Sequence, residues 1–169
     1  MPFTPLHVGP GLFIKALLQG SFSLMIFGWT QILMDIQPLL VMITGEGHLQ
    51  GFSHTYLGAS LIAVLAALTG KHLSEYGLNR LAMVRDNGLR IRWWVAFASA
   101  FIGSFSHLIL DAIMHTDVQP FYPFFTDNRL QGFMSIPALH KLCLYSGLVG
   151  AGLYFVVRWF LRYRRRRPE

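Results

Sequence analysis

Apolar residues in this chain gather into long blocks separated by short polar ones. Four blocks approach or reach the roughly 20 residues that a helix needs to cross a bilayer. They lie at about 21–43 (SFSLMIFGWTQILMDIQPLLVMI), 54–70 (HTYLGASLIAVLAALTG), 93–115 and 138–161. A shorter block, about 6–18, comes first and reads either as a fifth, short span or as a re-entrant helix. The pattern predicts an all-α, polytopic membrane helix bundle: four transmembrane helices plus a short N-terminal helix, in a single integral membrane domain covering 1–169. No internal repeat and no soluble second domain is visible. Ser99, Gly103 and Ser106, and Gly147, Gly150 and Ala151, are small residues of the kind that let helices approach closely in lipid.

Composition agrees. Hydrophobic residues make up 53% and charged residues 13%, about half the roughly 25% charged share of a soluble domain. The net charge of +6 would allow a nucleic-acid partner by its sign. Its distribution excludes that reading, because the basic residues lie at 71–92 and 158–167, flanking apolar blocks as topology determinants do. The loop holding Lys71, Arg80, Arg85, Arg90 and Arg92 and the tail RWFLRYRRRR are then both cytoplasmic. The remaining loops, about 44–53 and 116–137, face outward and carry one basic residue, Arg129. If the first block crosses, the N-terminus is outside and the C-terminus inside. No positive residue precedes the first apolar part, so it does not read as a cleavable signal peptide. The single Cys143 excludes a disulfide within the chain.

Charged residues inside apolar spans are costly and mark function by default. Asp35, Asp111 and His107 fall within spans, and His7, His54, His115 and His140 fall near span ends. At about 1.5 Å per residue from the cytoplasmic ends, His7 lies roughly 18 Å deep, Asp35 and His107 roughly 21 Å, His54 roughly 24 Å and Asp111 roughly 27 Å. Five groups from four segments thus reach one depth in the outer half of the membrane. A lone interfacial histidine such as His48 or His72 is usually a cap or a snorkelling group, and a lone buried Asp–His pair is usually structural. Independent structural groups would have no reason to share a level.

Such a set suits a divalent cation, zinc first and manganese or iron next, whose charge also stabilises ionised carboxylates in an apolar setting. His107 and Asp111, four residues apart, share a helix face and can hold one ion, or one can orient the other. His115 is rotated about 80° from His107 and, with His140 at the start of the last block, is a secondary candidate ligand. Pro38, inside the second block, would kink that helix and free a carbonyl.

PFTPLHVGPGLFIKAL, MDIQPLL, GFSHTYLGA and GSFSHLILDAIMHTDVQPFYPF together resemble, in matching order over nearly the whole chain, the bacterial inner-membrane metal-dependent hydrolases of the YdjM type and a closely related family of small membrane proteins. That family's pattern is an early His, an Asp-x-Asp-His, a Gly-Phe-Thr-His-Ser and a Ser-His-x-x-x-Asp. His7, Asp35, His54, His107 and Asp111 occupy the matching places, and Ser53 and Thr55 replace the Thr and Ser. Gln37-Pro38 stands where the family has Asp-His, which removes a carboxylate and an imidazole on which a second metal or a bridging ligand would depend. The resemblance implies metal-dependent hydrolysis, through a likeness to zinc phospholipase C-type sites, and a location in the cytoplasmic membrane.

The expected function is therefore hydrolysis of a phosphoester or other ester at the outer leaflet, by water whose pKa a bound metal lowers toward roughly 7. Asp35 or Asp111, whichever is not a ligand, would be the catalytic base. The bilayer and a lipid-like or phosphoester substrate are the expected partners, and the monomer or an oligomer would serve. Phe121, Tyr122, Phe124, Phe125 and Phe133 of the outer loop read as an aromatic belt or as a gate over the cluster, with Asp117, Asp127 and Arg129 near a substrate headgroup. Two other classes stay open: a metal-ion or proton transporter, for which Thr30, Gln31 and Ser60 offer the main polar groups of the inner half, and a non-catalytic protein whose metal staples helices.

Overall fold

The computed structural model describes residues 5–47, 49, 51–81, 88 and 90–165. The start of the PFTPLHVGPG stretch, His48, Arg85 and the last residues of the basic tail lie outside the described residues. Among those described there is no strand, and five α-helices follow in order: α1 (Val8–Leu18), α2 (Leu24–Thr44), α3 (Tyr56–Arg80), α4 (Trp93–Met114) and α5 (Ile136–Arg165). Four of them, α2 to α5, are long and apolar enough to cross a bilayer. α1 has 11 residues and covers about 16 Å, well short of the roughly 30 Å hydrocarbon core. The first apolar block is thus the short N-terminal helix. It runs from the level of His7 to a tight turn at Gln19–Ser21, and α2 runs back.

α3 is longer than the apolar block that announces it. It continues past Gly70 for another ten residues, so Lys71 and Arg80 lie on the helix and not in the following loop. The extension is polar but well supported. Glu75 accepts from Lys71 Nζ and from the Ile91 backbone N–H, both at 2.7 Å, tying the chain before α4 to this last stretch. A hydropathy boundary marks where the membrane ends, not where a helix must stop.

The centre of the bundle is α2, α3 and α4. Ala63, Ala66 and Ala67 of α3 meet Ile26 of α2 and Ala96 and Ala100 of α4 in one buried cluster. Small side chains here let the backbones close on one another, the packing mode that works without water to drive it. Gly103 of α4 belongs to the same logic: a Cβ there would stand 3.1 Å from Thr30 Cβ. Large apolar side chains point outward instead, among them Ile43, Leu61, Phe155 and Trp159, as lipid-facing residues do.

α5 stands at the periphery and reaches the bundle mainly through α1. Gly9 has no room for a Cβ beside the Cys143 carbonyl, nor Gly150 beside the Phe13 backbone, and a Cβ on Gly147 would stand 3.1 Å from Gly9 Cα. The small residues of both helices therefore form a backbone-to-backbone seam. At the far side, the loop between α4 and α5 folds back over the helix ends. Asn128 Nδ2 donates to the carbonyls of Ala112 (2.8 Å) and His115 (3.3 Å) at the end of α4, the Tyr56 N–H donates to Pro120 O at 2.8 Å, and Val118 is buried against Met34 and Leu108.

Candidate metal centre

Each candidate side chain is placed by its own local device. His54 ends a short 3-10 turn, Phe52–His54, just before α3. Thr55 caps that helix by accepting from the Gly58 N–H at 3.0 Å. Gln37 Oε1 accepts from the Ser53 N–H at 2.9 Å, clamping the turn to α2. Ser53 Oγ meets His54 Nδ1 at 2.9 Å, which leaves Nε2 facing inward. Asp35 is on α2, one turn before Pro38, whose missing N–H leaves the Met34 carbonyl without its helical donor.

His107 is held most tightly. Its Nδ1 lies 2.8 Å from Gln31 Oε1, while Gln31 Nε2 donates to the Gly103 carbonyl at 2.9 Å. A carbonyl only accepts, so the amide must turn its NH₂ to Gly103 and its oxygen to the imidazole. Nδ1 then carries a proton, which leaves Nε2 as the ring atom through which His107 can bind a metal.

These side chains converge. His54 Nε2 is 3.1 Å from Asp111 Oδ2, His107 Nε2 is 3.4 Å from Asp111 Oδ2 and 3.4 Å from Asp35 Oδ1, and His7 Nε2 is 3.8 Å from Asp111 Oδ1. Two overlapping ligand sets result, His7–His107–Asp111 and Asp35–His54–His107, with the donor atoms of each within 4.8 Å of one another. His107 belongs to both, so the sets describe one polar centre. All five residues are buried.

The residues fit a cation on two counts. The Nε2 atoms of His7, His54 and His107 are buried and make no aligned hydrogen bond, their nearest polar neighbours being carboxylate oxygens 3.1–3.8 Å away, although buried polar groups nearly always find a partner. The 3.1–3.4 Å spacings among His54, His107, Asp35 and Asp111 also approach the about 3.4 Å between donors that stand about 2.0–2.1 Å from a tetrahedral zinc. Two carboxylates in an apolar bundle are costly without a positive partner. A divalent cation held by these groups would remove both difficulties.

The structure brings five candidates together and leaves two apart. His115 and His140 are half-buried and belong to neither ligand set. α4 ends at Met114, and His115 has extended backbone (φ −112°, ψ 134°), which takes it off the face shared by His107 and Asp111. His140 stands on α5 beside Leu139, which packs against Leu110 of α4, and it contributes to neither ligand set. Spacing along the chain did not reveal Gln31 and Gln37 as supports: a glutamine near a site looks the same in sequence whether it faces lipid or an imidazole.

The family model described as YdjM inner membrane protein matches residues 12–166. The chain belongs to the YdjM inner membrane protein family. Four of the five converging residues lie within the matched stretch, and His7 precedes it. No curated protein and no solved structure matches the chain.

Proposed function

We propose that this member of the YdjM inner membrane protein family is a metal-dependent hydrolase of a phosphoester or other ester within the membrane. The observation that carries the reading is the convergence of three buried imidazole Nε2 atoms, none in an aligned hydrogen bond, on two carboxylates at 3.1–3.8 Å. His54, His107 and Asp111 form the inner part of the ligand set, with His7 closing it, and Asp35 is left beside the ion. Zinc suits these donors best, and manganese or iron would also accept them.

A bound divalent cation would supply Lewis acidity, acidifying a water and drawing charge from the ester oxygen. The chain's own groups do the rest. Gln31 keeps His107 in its Nδ1–H form, and Ser53 orients His54. Asp35, with a side chain 10% exposed, borders the cavity beside the cluster and is the base that takes the proton of the attacking water. Hydrolysis adds that water across the ester bond, and the proton passes to the leaving oxygen.

The positive-inside rule supports an orientation with the C-terminal tail in the cytoplasm and the cluster nearer the outer face. Exposed Phe124, Phe125 and Phe133 in the α4–α5 loop would then sit at headgroup level.

The test combines elemental analysis of the purified protein with hydrolysis of a chromogenic phosphodiester, before and after chelation and in Asp35→Asn. About one metal per chain and hydrolysis lost on chelation support the reading. No metal above background overturns it. Metal present with flux across vesicles and no hydrolysis replaces it with transport.

A further inference from the structure

A groove leads away from the cluster along α2. It has a volume of about 380 Å³, with His7, Asp35 and His107 at one end and Leu24, Met25 and Leu73 toward the other. Asp35 and Leu24 are eleven residues apart on one helix, about 16 Å. Half of a roughly 30 Å hydrocarbon core is about 15 Å. The groove is therefore about as long as half the hydrocarbon core, and it runs from the cluster toward the Leu24 end of α2.

Its middle offers nothing to an ion. Trp29 commits its indole N–H to Thr69 Oγ1 at 2.9 Å, and Gln31 has committed both ends of its amide to Gly103 and His107. Met25, Ile32 and Leu73, which line it, are exposed on the outside of the bundle, so the groove opens sideways to lipid. Its depth comes from missing side chains. A Cβ on Gly28 would meet no atom within 4 Å, in a helix interior where glycine costs about 1 kcal/mol relative to alanine. Across the groove, a Cβ on Gly70 would stand 2.9 Å from Trp29 Cδ1, so bare backbone there makes room for the indole wall.

We propose that this groove binds one hydrocarbon chain of a membrane amphiphile, with the ester or phosphoester at the head of that chain lying against Asp35, His7 and His107. The fate of the head rests on the hydrolase reading; binding of the chain does not. An apolar slot about 16 Å long, open to the bilayer and headed by polar groups at the cluster, matches a hydrocarbon chain with a polar head in length and in polarity. An ion would find imidazole and carboxylate ligands only at the cluster, with the Ser74 hydroxyl toward the other end, and a soluble ester would leave the apolar walls unused.

The probe is hexadecyl phosphate with a diazirine at the far end of its chain, photolysed with the full chain in phosphatidylcholine nanodiscs and mapped by peptide. Label is expected on the Leu24–Gly28 stretch of α2 and around Leu73 of α3. Gly28→Phe fills the groove and should cut that label by about tenfold or more, the scale on which an apolar pocket discriminates small changes in fit, while Gly28→Ala keeps most of it. In the wild type, unlabelled hexadecyl phosphate should compete and butyl phosphate should not, a comparison that needs no variant to fold. Label spread over lipid-facing helix surfaces, equal competition by both phosphates, or a folded Gly28→Phe that labels like the wild type would overturn the proposal. Elemental analysis separates the two readings, since a metal-free protein that still labels in the groove loses the hydrolase and keeps the chain site.

Discussion

Gln31 of α2 and His107 of α4 are joined by a 2.8 Å hydrogen bond from Nδ1 to Oε1, and the Gly103 carbonyl decides its direction by occupying the amide nitrogen of Gln31. The bond crosses between two helices, places a proton on Nδ1 and aims Nε2 at Asp35 and Asp111. An amide that sequence reading places among the polar groups of the inner half is in fact a support of the site.

Gln31→Leu keeps the volume and removes both hydrogen bonds. Metal affinity should fall by about 10- to 100-fold, the usual effect of losing the group that orients a histidine ligand. Gln31→Glu, which retains an acceptor for Nδ1, should lose less. Competition with a calibrated chelator measures both, and equal affinities in wild type and Gln31→Leu would remove this role.

Metal should stabilise the fold by mass action, by about 2.7 kcal/mol at a hundredfold excess over its dissociation constant. Chelation should lower Tm in detergent, and re-addition should restore it. Asp111→Asn should invert the pattern. Without metal it should be more stable than the wild type, because a costly buried charge is gone, and metal should raise its Tm far less. A metal-free variant no more stable than the metal-free wild type would argue against charge burial as the cost the cation offsets.

Gly9→Val should disrupt the seam between α1 and α5, since even a Cβ would collide with the Cys143 carbonyl. Overpacking of this kind costs about 1–3 kcal/mol. His7 lies two residues before Gly9, so metal affinity should fall along with Tm. Gly152→Val, where a Cβ meets nothing within 4 Å, is the control and should leave both unchanged.

Ser53→Ala should weaken metal binding without unfolding the protein, because His54 Nδ1 loses its partner while the Thr55 cap persists. A loss of about tenfold is expected. Gln37→Ala should act in the same direction through the Ser53 N–H. Isothermal titration with zinc reads both, and heat signals matching the wild type would mean that the turn at 51–55 holds itself.

The helices were legible because length and hydropathy are local properties. The blocks at 21–43 and 93–115 correspond to α2 and α4 within a few residues. The end of α3 was not legible, because Glu75 holds the polar stretch through Lys71 and Ile91, and no window of hydropathy contains that contact. The level shared by His7, Asp35, His54, His107 and Asp111 could be estimated because rise per residue converts position into depth in a membrane. For His115 the sequence offered only its rotation of about 80° from His107, and that α4 stops at Met114 just before it was decided by the fold.

Sequence alone thus determined which segments are helices, which of them are long enough to span, and which polar residues lie at similar depth. Those follow from residue type and distance along the chain, quantities a linear string contains. Only the tertiary structure decided which way each side chain faces around its helix, that Gln31 and Gln37 serve the cluster, and that Gly28 and Gly70 leave a groove beside it. Rotation about a helix axis and approach between helices depend on how several segments pack together at once, and a span apolar on nearly every side gives little periodic signal from which to read them.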